Sequence, residues 1–126
     1  MKSLKYLFAF TFLVVVLSGC KYSFIVPVEV IDPDDPDAPQ ISYAAEIQPI
    51  FDSKCTYCHD GSRNPNLTSG NSYSSLSSGG YINTDNPEES IIYTQTDPTA
   101  GGSHMKVSAA ESALLLAWIK QGAKDN

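Results

Sequence analysis

CTYCH, Cys55 to His59, is the stretch that decides how the rest of this chain reads. It puts two thiols three residues apart and a histidine directly after the second, in a chain with only three cysteines and two histidines. In Cys-x-x-Cys-His the two thiols can add to the two vinyl groups on one edge of a porphyrin. The same turn presents the imidazole beneath the iron. The pattern reads as the attachment site of one haem c, covalent through thioethers at Cys55 and Cys58, with His59 as proximal ligand. Other readings of paired cysteines meet obstacles. A structural zinc site takes four Cys or His ligands. The domain has only Cys55, Cys58, His59 and His104 to offer, and His59 adjoins Cys58. A redox dithiol of the thioredoxin kind needs a βαβ setting, and the sequence shows no long strand-like alternation. A structural disulfide in an oxidising compartment stays open as an alternative.

A haem iron opposite a proximal histidine usually takes Met or His. Beyond residue 19 the chain has one methionine, Met105, and one other histidine, His104, adjacent in GGSHMK. Met105 is read as the distal ligand, with His104 or an open position as the alternatives. Gly101 and Gly102 would let the backbone approach the haem face.

The amino terminus reads as an export signal. Lys2 and Lys5 precede the apolar run Tyr6–Leu17, which ends in Leu-Ser-Gly-Cys at Cys20. The run is shorter than the ~20 apolar residues that span a bilayer. Its ending resembles the lipobox of bacterial lipoproteins. That likeness implies cleavage of residues 1–19 and lipidation of Cys20, placing the protein in the bacterial cell envelope, lipid-anchored, with its domain in the periplasm or on the cell surface. The mature chain keeps all 14 acidic residues and six of the eight basic ones, a formal charge of −8. This excludes nucleic acid as a natural partner and suits redox proteins with basic docking surfaces. Pro33, Pro36 and Pro39 alternate with aspartates, so residues 20–40 read as an extended tether. At about 3.1 Å per residue it would hold the domain up to roughly 60 Å from the membrane.

Residues 41–126 remain for one small domain, a size that is marginal without a disulfide, metal or cofactor. The spacing predicts three helices. The first runs through YAAEIQPIFDSKCTYCH, with Ser42 as N-cap, Pro49 in the first turn and Ile47, Ile50, Phe51 and Cys58 on one face. The second follows NPEE, with Asn86 as N-cap, Pro87 first and Glu89 as reciprocal partner. The third follows the capping box Ser108–Glu111 and ends near Gly122, burying Ala110, Leu114, Leu115, Ala117 and Trp118. A Ser/Gly/Asn-rich stretch, 60–85, lies between, with room for a further helix near Tyr73–Leu76. A loop of that length in a compact domain wants something to wrap.

The order of these features resembles small mono-haem class I cytochrome c domains, particularly those borne on bacterial lipoproteins. The features are IQPIF (Ile47–Phe51), CTYCH, NLTSGNSYSSL (Asn66–Leu76), NPEESIIY (Asn86–Tyr93), His104-Met105 and a last helix with WIKQGA (Trp118–Ala123). The resemblance covers roughly Tyr43 to Ala123. It implies an all-α cytochrome c fold, three to five short helices around one covalent haem. It also implies Cys55 and Cys58 as attachment points, His59 as proximal ligand and Met105 as distal. Two positions depart from the pattern: Asp60 stands where Gly often follows the haem histidine, and Lys106 where Pro often follows the methionine.

A six-coordinate iron with two strong ligands leaves no vacant position, so the expected role is one-electron transfer between a redox donor and an acceptor. On this reading the protein is a membrane-tethered carrier and not an enzyme. A haem-based sensor, or an accessory subunit of a larger redox complex, is the second reading, and a haem-free dithiol or binding module the third. A peroxidase would need a second haem or an open iron, and there is one CxxCH. Arg63, Tyr73, Tyr81, Tyr93 and Trp118 are candidates to touch the haem or its propionates.

Overall fold

The structure is a computed structural model that describes residues 37–126. The signal segment 1–19, Cys20 and most of the 20–40 tether lie outside these residues. Among the described residues the protein is helical without strands. A π-helical turn, Tyr43–Ile47, leads into α1, Gln48–Lys54; α2 is Ser72–Ser78, α3 is Ile91–Thr96 and α4 is Ala109–Lys120. A 3-10 turn, Pro87–Glu89, precedes α3. The all-helical expectation of three to five short helices with long loops therefore holds among the described residues, with four α-helices; the comparison with a cytochrome c fold rests on the sequence resemblance.

Ser42 caps the first turn as expected. Its hydroxyl accepts from Ala45 N at 3.2 Å, and Glu46 accepts back from Ser42 N at 2.7 Å. Pro49 sits in the first turn of α1, where a missing N–H costs nothing. Ile47, Ile50 and Phe51 are buried, but the helix does not run through His59 as predicted. It stops at Lys54, because the Phe51 carbonyl accepts from both Cys55 N and Thr56 N, and the Thr56 hydroxyl takes the Asp52 carbonyl. These bonds satisfy the last orphan carbonyls and end the helix. Cys58 is thus outside the helix and exposed, not on its buried face.

The NPEE expectation is also corrected. Asn86 makes no side-chain cap, and Pro87–Glu89 forms only a 3-10 turn. Asn86 is itself held from outside, its N–H donating to Asn83 Oδ1 at 3.0 Å. Ser90 then breaks the path into α3. Its buried hydroxyl accepts from Asn83 N at 2.9 Å.

The α4 capping box forms as read, with Ser108 accepting from Glu111 N and Glu111 accepting from Ser108 N. Glu111 also takes the Lys54 ammonium at 2.5 Å, joining the end of α1 to the start of α4. The buried face of α4 is Ser112, Leu115, Ala117, Trp118 and Ile119. Ala110 is exposed and Leu114 half-buried, so the helix is rotated from the predicted face. The reason is Ser112, whose hydroxyl donates to Asp97 Oδ2 at 2.8 Å and turns that side inward.

Trp118 is fully buried beside Tyr43, ring centres 5.2 Å apart, and its indole N–H donates to Lys124 O. Phe51, Leu67, Leu76 and Ile92 complete the core around it. The two ends of the domain are laced together. Asn126 O accepts from Ala44 N and the Ser42 hydroxyl, while Gln121 Oε1 accepts from Ile41 N.

Candidate functional site

CTYCH makes a turn of its own directly after α1. Cys58 N and His59 N both donate to the Cys55 carbonyl, at 3.1 and 3.0 Å. The turn sends Cys55 into the core, leaves Cys58 exposed, half-buries His59 and holds Tyr57 out at 96% exposure. Both cysteines are free thiols.

The segment behind His59 fixes its ring. His59 Nδ1 lies 2.9 Å from the Pro65 carbonyl. A carbonyl only accepts, so this contact requires a proton on Nδ1 and leaves Nε2 with its lone pair. Pro65 follows a cis peptide and is buried. The loop closes through Leu67 N to the His59 carbonyl at 2.8 Å. The Asp60 departure is accommodated within it. Asp60 accepts from Ser62 N at 2.9 Å, and Gly61 takes the φ of +107° that a side chain would resist. Those hydrogen bonds from Ser62 hold the Asp60 carboxyl below its ordinary range.

A buried polar network braces this loop from the far side. Tyr43 OH donates to Ser72 Oγ at 2.6 Å, and Ser72 donates to Gln48 Oε1. The Gln48 amide then donates to Asp52 and to the Leu67 carbonyl. Every buried side-chain polar atom among the described residues has a partner. Burial pushes the Tyr43 phenol up to about 12, so it stays a donor throughout the useful pH range. Sequence reading missed this network.

The segment carrying His104 and Met105 runs between α3 and α4, and Asp97 anchors its start. That carboxylate accepts from Thr99 N at 2.8 Å, from the Thr99 hydroxyl and from Ser112. With the Thr99 hydroxyl contributing most, these bonds hold Asp97 down to about 2. Lys106, in place of the common proline, ties the far end. Its ammonium donates to the carbonyls of Gln95 and Gly101, and Val107 N donates to Thr96 O.

One cavity of about 630 Å³ gathers Cys55, Cys58, His59, His104 and Met105. Its size is that of a small-molecule or cofactor pocket. The His59 and His104 rings stand 6.2 Å apart at their centres, with planes 26° from parallel. The large exposed apolar side chains of the described residues, Tyr57, Ile91 and Met105, all line it. Lys54 and Arg63 are on its wall, and no carboxylate is, although the chain is acidic overall. Of the aromatic candidates, Tyr81 lines the cavity and Tyr73, Tyr93 and Trp118 do not; Tyr73 and Trp118 pack on Tyr43 in the core. Tyr73 donates to Ala123 O.

Burial pushes the Cys55 thiol up from its ordinary value. Among the described residues no three His, Cys, Asp or Glu side chains converge on a point that could hold an ion. No helix among them is long and apolar enough to cross a membrane.

No protein-family model matches the chain, and no solved structure matches it. Among curated proteins, the chain is similar to hydrazine synthase subunit alpha of Kuenenia stuttgartiensis, 35% identical over 78 residues. The match takes 60% of this chain but only 9% of that much longer protein. The relative is a subunit of an enzyme, and this corrects the expectation of an electron carrier that is not an enzyme. A six-coordinate iron would be closed to substrate at the metal and would leave catalysis elsewhere in a protein untouched.

Proposed function

We propose that residues 41–126 carry one covalent haem c and pass single electrons to or from a redox enzyme. Cys55 and Cys58 would hold the porphyrin edge, His59 the iron, and Met105 the opposite position. The observation that carries this reading is the single cavity on which those four residues converge. The cavity fits the group. It is apolar at its rim, bears two cations for the propionates and lacks a carboxylate to repel them. His59 is held in the tautomer that leaves Nε2 for a metal. When bound, the haem supplies a one-electron iron couple, which a Met ligand and apolar surroundings raise in potential.

The similarity to a subunit of an enzyme favours a redox unit serving a catalytic partner over a carrier moving between unrelated proteins. Cys20 would tether the domain to the envelope membrane by lipid, through the Pro/Asp-rich arm, within reach of donor and acceptor. The test is expression with c-type haem maturation, followed by haem staining on a denaturing gel. Wild type should keep its haem through denaturation, and Cys55→Ser/Cys58→Ser should lose it. A wild-type band without haem would overturn the proposal. Metabolic labelling with a fatty acid, lost in Cys20→Ala, tests the anchor separately.

A further inference from the structure

We infer that His104 is a second distal ligand, able to hold the haem iron opposite His59 in place of Met105. This rests on the haem reading above and goes beyond its ligand set. His59 and His104 reach the same cavity from separate loops, and their ring centres stand 6.2 Å apart with planes 26° from parallel. A metal–imidazole bond of about 2.0 Å places the centres of two imidazoles on opposite sides of one metal atom roughly 6 Å apart. The pair thus has the separation that a single metal atom between them requires. The Pro65 carbonyl takes Nδ1 of His59, so the nitrogen left for that metal is Nε2. His104 and its neighbour Met105 are both exposed, so burial does not favour one over the other.

The backbone gives both neighbours a way in. Asp97 and Lys106 tie the two ends of the segment. Between them Gly102 takes a φ of +99°, and a Cβ on Gly101 or Gly102 would meet nothing within 4 Å. The part of the segment just before His104 and Met105 therefore has open space beside it. Exchange breaks one iron–sulfur bond and forms one iron–nitrogen bond, with no change in the number of ligands. Because sulfur ligation raises the potential relative to two imidazoles, the identity of the bound neighbour sets the potential of the domain.

The experiment uses the haem-loaded protein, with covalent haem first established from the spectrum after denaturation. Met105→Leu should give a ferric haem that stays low-spin, with the electron paramagnetic resonance of two imidazoles and no carbon monoxide uptake when reduced. The double variant His104→Ala/Met105→Leu should turn high-spin, bind carbon monoxide and return to low-spin on adding free imidazole. A high-spin Met105→Leu protein would overturn the inference, since His104 then fails to reach the iron. A low-spin double variant would also overturn it, since another side chain is then the ligand. Absence of covalent haem would overturn it together with the reading beneath it, and the denatured spectrum identifies that case.

Discussion

Gln48 reaches the loop beneath His59 through the Leu67 carbonyl while accepting from Ser72. Gln48→Ala would leave buried polar groups unpartnered, at a cost of about 1–3 kcal/mol. Urea unfolding should show the midpoint fall with the slope unchanged, whereas Asp60→Ala, at an exposed position, should shift it far less. Local spacing singles out Cys55, Cys58 and His59 in the sequence, and the structure brings them to one cavity. Gln48, Ser72 and Tyr43 were not, because their partners stand 24 and 29 residues apart and no short pattern marks them. Scarcity singles out Met105 in the sequence, whereas the facing of His104 and His59 is visible only once the two loops are folded together.

At the scale of elements, α4 depends on its cap. Ser108→Ala should cost about 1 kcal/mol, read as a lower melting temperature. Asp97 governs the segment before it. Its folded pKa is depressed, so its contribution to stability is complete above the ordinary carboxylate value and is lost as pH falls from about 4 through about 2. Acid titration followed by circular dichroism should show this limb, and Asp97→Asn should flatten it. The capping box was readable because it is a four-residue signal. The buried face of α4 was not, since Ser112 turns inward only to meet Asp97, which lies 15 residues away. The end of α1 was misread for a similar reason. Periodicity continues to Cys58, but the backbone bonds at Phe51 close the helix first.

At the scale of the whole molecule, Trp118 joins the helices. It is fully buried, packs on Tyr43 and ties its own nitrogen to Lys124. Trp118→Ala should cost about 3–5 kcal/mol, much of the stability available to a domain this small, and should leave it largely unfolded at physiological temperature. Haem loading should act in the opposite direction, covering Tyr57, Ile91 and Met105 and raising the melting temperature above that of the haem-free chain. The helical class was legible in the sequence because caps and apolar spacing mark helices locally. The likeness to a subunit of an enzyme was not, because a Cys-x-x-Cys-His motif read alone says nothing of the protein around it.

The most direct test of the central claim is the optical spectrum of the protein made with c-type haem maturation. Sharp reduced bands that survive denaturation and a weak far-red iron–sulfur band in the ferric form are the expected result. A protein without covalent haem would contradict it and leave CTYCH as a thiol element of another kind.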